Sequence, residues 1–123
     1  MKRDKQLIPL SWEHHTGLTV AKRIREAVEQ AGGLDTARSY VARHWEEHLQ
    51  EHFEREERLL APLLERSKQG AALNARLFHE HQEITSLVED TAACSTEELP
   101  DTLLALSEAL KNHIQFEEKQ YFA

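Results

Sequence analysis

The stretch HWEEHLQEHFEREE, residues 44–57, places His44, His48, His52 and Glu56 at successive steps of four. In a helix, residues four apart stack on one face. A ladder of imidazoles ending in a carboxylate is an unusual thing to turn toward a core. A second copy, His113-Ile-Gln-Phe-Glu117-Glu118, repeats the pattern of His52-Phe-Glu-Arg-Glu56-Glu57. Two His-x-x-x-Glu-Glu units on different helices suggest a site built from duplicated halves. The fold must therefore bring polar stripes of separate helices face to face.

The remaining sequence supplies the helices to do so. Ser11 is a candidate N-cap for a helix over about 11–30, with Leu10, His14, Gly17, Ala21, Ile24 and Val28 as its inner seam. Ala31-Gly32-Gly33 supplies the stop, because glycine takes the left-handed position that ends a helix. Asp35 or Thr36 caps a second helix, expected to reach about Ser67. Its seam reads Val41, Trp45, His48, His52, Glu56, Leu59 and Leu63 at about 100° per residue, with His44 at the edge. Pro62 should kink or end that helix. Gln69-Gly70 reads as the next turn. A third helix over about 71–92 then carries Leu77, His81, Ile84 and Val88 inward, with His79 outward. Ser95 and Glu98 form a capping box for a fourth helix that carries Leu103, Leu106, Leu110, His113 and Glu117 on one stripe. Four helices with short connections predict an all-α, antiparallel up-down-up-down four-helix bundle, with residues 1–123 as one domain.

Each predicted helix thus brings one His to its seam: His14, His52, His81 and His113. The second and fourth add Glu56 and Glu117. Helix period favours His14 over His15 in the first helix. His48, one turn before His52, stands either as a further ligand or as a gating residue. Buried carboxylates and several neutral imidazoles are costly unless something satisfies them together, and a bound cation does so. Four His and two Glu exceed what one tetrahedral zinc takes. They suit a pair of transition metals bridged by the two carboxylates, with iron favoured and another divalent metal as a substitute. Glu57 and Glu118 should face away from the seam, as solvated charge.

Composition narrows the alternatives. The chain has 123 residues, 30% of them charged, with only three Pro and four Gly, which fits a helical domain better than a β-sandwich. A net charge of −7 argues against nucleic acid or an anionic membrane as partner. No apolar run approaches the roughly 20 residues of a membrane span, and the basic N-terminus is followed by no signal-peptide core. The single Cys94 allows no internal disulfide. A cytoplasmic protein, monomeric or weakly dimeric, is the expectation. Neither Glu-x-x-His, the ferritin-like di-iron repeat, nor the zinc-protease His-Glu-x-x-His occurs.

Taken together, Trp12-Glu13-His14-His15, His52-x-x-x-Glu56, Glu80-His81 and His113-x-x-x-Glu117 resemble the hemerythrin-like, HHE cation-binding proteins over nearly the whole chain. The resemblance implies a four-helix bundle around two non-haem iron ions, with O2 or NO as small-molecule ligand at an open iron position. Its alternatives are a di-iron redox enzyme acting on peroxide or NO, and iron storage or donation for iron–sulfur repair. One departure from the oxygen carriers stands out. Their third ligand-bearing helix carries two His at i and i+4, whereas here Leu77 stands four residues before His81. The expected set is then His14, His52, Glu56, His81, His113 and Glu117, with His48 as a possible fifth imidazole, inside a pocket lined by Leu77, Trp45, Leu110 and Phe116.

Overall fold

The computed structural model describes the backbone of residues 8–30 and 32–121, and side chains from His15 to Gln120 except at position 31. Among the described residues it is all helix, with no strand. Helix α1 covers Ile8–Glu29. It ends as the sequence predicts: Gly32 takes φ +78°, a conformation that a side chain strains. Helix α2 runs unbroken over 34–64, α3 is Lys68–Ala93, and α4 begins as Leu99–Phe116 and continues through Glu117–Tyr121.

Neighbours run in a closed order. Helix α1 packs chiefly on α4, α4 on α3, α3 on α2, and α2 back on α1. This is a helical bundle. At the α1–α4 contact, Ser107 Oγ donates to the Ala21 carbonyl at 2.7 Å. Nearer the other end of the same contact, a Cβ added to Gly17 would stand 2.8 Å from Ile114 Cδ1.

The seams of α1, α3 and α4 fall where the period puts them. Ala21 and Ile24, then Leu77, His81, Ile84 and Val88, then Leu103, Leu106, Leu110, His113 and Glu117 are all buried. Fully burying a Leu or Ile stabilises by about 1.5–3 kcal/mol relative to exposure, so these stripes account for the assembly. The apolar residues form two clusters. A large one includes Ile24, Val41, Phe53, Ile84 and Leu110. A small one gathers Leu60, Leu77 and Phe116. Five buried polar residues, His52, Glu56, His81, His113 and Glu117, belong to neither cluster.

Helix α2 departs from its expected phase. It contains two π-helical turns, Trp45–Leu49 and Glu56–Leu60. Such a turn bonds i to i+5 and holds one residue more than an α turn, which rotates the residues around it on the helix. Leu49 and Leu60 therefore take the buried places expected for His48 and Leu59. Leu59 and Leu63, expected on the seam, lie exposed at 49% and 54%. The end of α2 also differs. It stops at Leu64, two residues past Pro62, rather than at Ser67. Ser67 instead caps α3, its Oγ accepting from Gly70 N at 2.9 Å. The predicted capping box at α4 forms only in part: Glu98 N donates to Ser95 Oγ at 3.3 Å and Ser95 Oγ to Glu98 Oε1 at 2.9 Å, but both residues lie ahead of the helix, whose N-cap position, Glu98, makes no side-chain cap bond.

Candidate metal centre

Each His-x-x-x-Glu unit ends in a π turn that starts on its own glutamate, Glu56–Leu60 on α2 and Glu117–Tyr121 on α4. Turns of this kind are frequent at functional sites. On α2 the turn lets the inward carboxylate of Glu56 be followed by buried Leu60. His52, Glu56, His81, His113 and Glu117 are all within a few per cent of complete burial.

Their ligand atoms converge in two overlapping groups. Glu56, His81 and His113 offer one set of atoms within 4.8 Å of one another, and His52, Glu56 and Glu117 offer another. Neighbouring ligand atoms on one ion, bonded at about 2.0–2.2 Å, sit about 3–4 Å apart, so both groups are on the scale of a cation's coordination shell. Glu56 is common to both. Its Oε1 lies 3.1 Å from His81 Nε2 and 3.5 Å from His52 Nε2.

Outer carboxylates fix two of the rings. His81 Nδ1 lies 2.8 Å from Glu57 Oε2, and His113 Nδ1 lies 2.7 Å from Glu80 Oε1. Behind Glu80, Arg76 Nε donates to Glu80 Oε2 at 2.8 Å and lays its guanidinium 4.1 Å over the Phe116 ring. Burial raises the Glu80 carboxyl, but its hydrogen bonds with His113 and Arg76 outweigh that and hold it below the usual value. Burial also pushes the His113 imidazole down, against the opposing pull of Glu80. A neutral His113 that donates from Nδ1 to an ionised Glu80 has its lone pair on Nε2. That Nε2 makes no hydrogen bond, yet stands 2.8 Å from Glu117 Oε1. Two electron-rich atoms that close call for a positive charge between or beside them. The donor set fits a cation.

Packing completes the inner wall. Phe53 stacks on His81 with ring centres 3.9 Å apart and 14° between planes. It meets His113 edge-on at 5.6 Å. On the α1 side a cavity of about 100 Å³ opens beside His52, His113 and Glu117, bounded by Gly17, His44, Leu49 and Leu110 among others.

Of the residues proposed from sequence, the structure brings together His52, Glu56, His81, His113 and Glu117. It leaves His48 outside both groups, with its side chain 60% exposed and its Nε2 3.8 Å from Glu47 Oε2. The side chain of His14 lies outside the described residues, as does that of Trp12. His15 is exposed, as is His79, the latter as expected. Leu110 borders the cavity, while Leu77 and Phe116 pack in the small apolar cluster. Glu57, expected to face solvent, is instead half-buried against His81. Glu80, which the sequence marks only as the neighbour of His81, holds His113. Helix spacing hid both partners, because each carboxylate reaches an imidazole on a different helix.

A helical bundle whose interior gathers buried His and Glu from three of its helices defines a class, the helical cation-binding domains. The model of one such family, the Hemerythrin HHE cation binding domain, matches residues 10–123, and the chain belongs to that family. No curated protein and no solved structure matches the chain. No helix among the described residues is long and apolar enough to cross a membrane.

Proposed function

We propose that the chain is a single-domain, antiparallel up-down-up-down bundle that holds two non-haem iron ions and binds O2 or NO beside them. The observation that carries the reading is His113, whose Nδ1 is held by Glu80 while its Nε2 faces Glu117 without a hydrogen bond. On this reading Glu56, His81 and His113 hold one ion. His52, Glu56 and Glu117, joined by His14 of α1, hold the other, and the carboxylates balance the added charge. The contacts of Gly17 with Ile114 and of Ala21 with Ser107 run in opposite sequence order, which supports the alternating helix direction. A reduced iron pair supplies electrons and a Lewis-acidic position for a diatomic ligand.

The chain's own residues do the rest. Glu57 and Glu80 hold protons at the Nδ1 atoms of His81 and His113, which aims each Nε2 inward and raises its basicity. Phe53 keeps water from the far side of His81 by stacking on it. The cavity beside His52 and Glu117 is largely apolar and suits a small uncharged molecule better than an anion. The half-buried Cys94 and the absence of an internal disulfide agree with a cytoplasmic setting.

The test is metal content of anaerobically purified protein, with a visible spectrum before and after oxygen. About two irons per chain, with bands that appear on oxygenation and vanish on deoxygenation, are the expected result. Irreversible bleaching with turnover of peroxide or NO would replace binding by redox catalysis. Iron that a chelator strips within minutes would replace it by iron donation. One metal or none, in protein that folds equally well, overturns the reading.

A further inference from the structure

A second opening, between α2 and α3, shares only Phe53 with the apolar cavity. It holds about 530 Å³, with Phe53 and His81 in its floor. That is within the range of about 300–1,000 Å³ that small-molecule sites occupy. We propose that this cleft binds an elongated organic cation, with a guanidinium or ammonium head and a flat body, and that the occupant loosens the hold of Glu57 on His81. The site stands on its own lining; its effect on a bound ion rests on the cation centre proposed above.

The cleft has two chemically distinct ends. Asn74 Nδ2 donates to the Ala61 carbonyl at 2.7 Å, and further along α3 His81 Nδ1 lies 2.8 Å from Glu57 Oε2. Phe78, between Asn74 and His81, therefore stands at the Glu57 end, while Thr85 and Ser86, beyond His81, stand toward Trp45. At the first end exposed Phe78 meets Glu54 and Glu57. An aromatic ring beside two carboxylates attracts a cation twice, through its quadrupole and through charge. Among the described residues no Lys or Arg lines the cleft to compete for that place. At the other end half-buried Trp45 offers a flat apolar face with the amide of Gln50 and the hydroxyl of Ser86 near it. Such a face suits a planar body that also carries hydrogen-bonding groups. The Trp45 ring meets Phe53 edge-on at 6.0 Å and 71°, and Phe53 is itself stacked on His81, so this wall needs little ordering when a ligand arrives. Trp45 and Glu57 stand about 18 Å apart along α2, at about 1.5 Å per residue, which is the reach of an extended molecule.

Glu57 belongs to the cleft and to the buried centre alike. Its Oε2 holds His81 Nδ1 while the half-buried side chain lines the cleft. A guanidinium that pairs with this carboxylate competes for the same oxygen. His81 then loses part of what aims its Nε2 inward. The coupling is reciprocal: an ion that fixes His81 should weaken the organic cation by the same factor.

The experiment titrates the full, metal-free chain with benzoylarginine amide and with benzoylcitrulline amide, its neutral counterpart, while the indole N–H signal of Trp45 is followed by NMR. The expected result is a saturable shift with the arginine compound and affinity about tenfold weaker for the citrulline compound. Glu54→Gln should weaken the arginine compound by a similar factor. Glu51→Gln, which removes the same charge outside the cleft, should leave it unchanged. No saturable shift, equal affinity for the two compounds, or equal losses in the two variants overturns the site. Equilibrium dialysis against Co2+ then tests the link, and a saturating level of the arginine compound should lower cobalt affinity about fivefold. Unchanged cobalt affinity overturns the link through Glu57. A chain that binds the arginine compound but takes no cobalt at all keeps the cleft and sinks the reading of the buried centre.

Discussion

The two walls of the candidate centre are built on opposite principles. Toward α3 and α4 the wall is braced: Phe53 stacks on His81, Glu57 and Glu80 hold the Nδ1 atoms, and Arg76 supports Glu80 from behind, with outer clefts reaching only as far as these residues. Toward α1 it is loose, with a cavity of about 100 Å³, a glycine at the helix contact and two imidazoles at the rim. A site that only stored charge in a core would be closed all round. Rigidity on one side and access on the other is what a centre needs to hold its ligands still while something small comes and goes.

The largest effect should come from the residue that both ligand groups share. Glu56→Ala removes the carboxylate common to both, and cation affinity should fall by more than about 100-fold, beyond the effect of losing an outer partner. Equilibrium dialysis against Co2+ or Fe2+ checks this, and retained stoichiometric binding would break the shared-ligand arrangement.

Next comes the braced wall. Phe53 is buried between His81, His113 and Trp45, so Phe53→Ala should cost about 3–5 kcal/mol of stability in thermal or urea unfolding. A loss below 1 kcal/mol, on the same scale for a cavity that collapses fully, would mean the wall is no more rigid than the side facing α1.

The outer carboxylates come third. Glu80→Gln keeps the shape but weakens its hold on His113 Nδ1, and affinity should drop about 10–100-fold. Glu57→Gln should drop it less, because Glu57 is 39% exposed against 18% for Glu80, whose second oxygen Arg76 braces. Equal losses at both positions would remove the ranking.

These two glutamates also mark where the sequence stops being legible. His52, Glu56, His81, His113 and Glu117 are readable because a buried His or Glu stands out on an otherwise apolar seam of period 3.6. The four helices are readable for the same reason, with Gly32, Ser95 and Glu98 as punctuation. Glu57 and Glu80 lie off those seams, and only the packing of neighbouring helices gives them partners. The phase of α2 is hidden for a different reason. A π turn leaves no periodic signal of its own, so Leu59 and Leu63 look like core residues until an added residue per turn rotates them out.

A smaller effect follows pH. His113 and His44 are both held below the ordinary His value of 6.5, His44 at about 4. As pH falls below 6.5 the unfolded chain takes up protons that the folded chain refuses, so stability declines through that window. Glu80 works the same way further down: its contribution is present above 4.5 and is lost as pH falls through its lowered folded value. Urea midpoints of metal-free protein should therefore fall steadily from pH 7 toward 4. His44→Gln should flatten part of that slope. A flat profile would mean that neither wall keeps its imidazole neutral.

The smallest change tests the loose wall. Gly17→Ala adds one methyl at the α1–α4 contact, 2.8 Å from Ile114 Cδ1, which must swing aside. That atom is the far end of a side chain, so the displacement is cheap, and alanine favours the helix by up to about 1 kcal/mol over glycine. The two terms nearly cancel, and stability should move by less than about 1 kcal/mol. Gly17 and Ile114 both border the cavity, however, so the methyl and the displaced Cδ1 narrow the space beside His52 and Glu117. Binding of NO by the iron-loaded protein should then slow while its metal content stays constant. Unchanged NO kinetics with an unchanged fold would show that the cavity is not the way in.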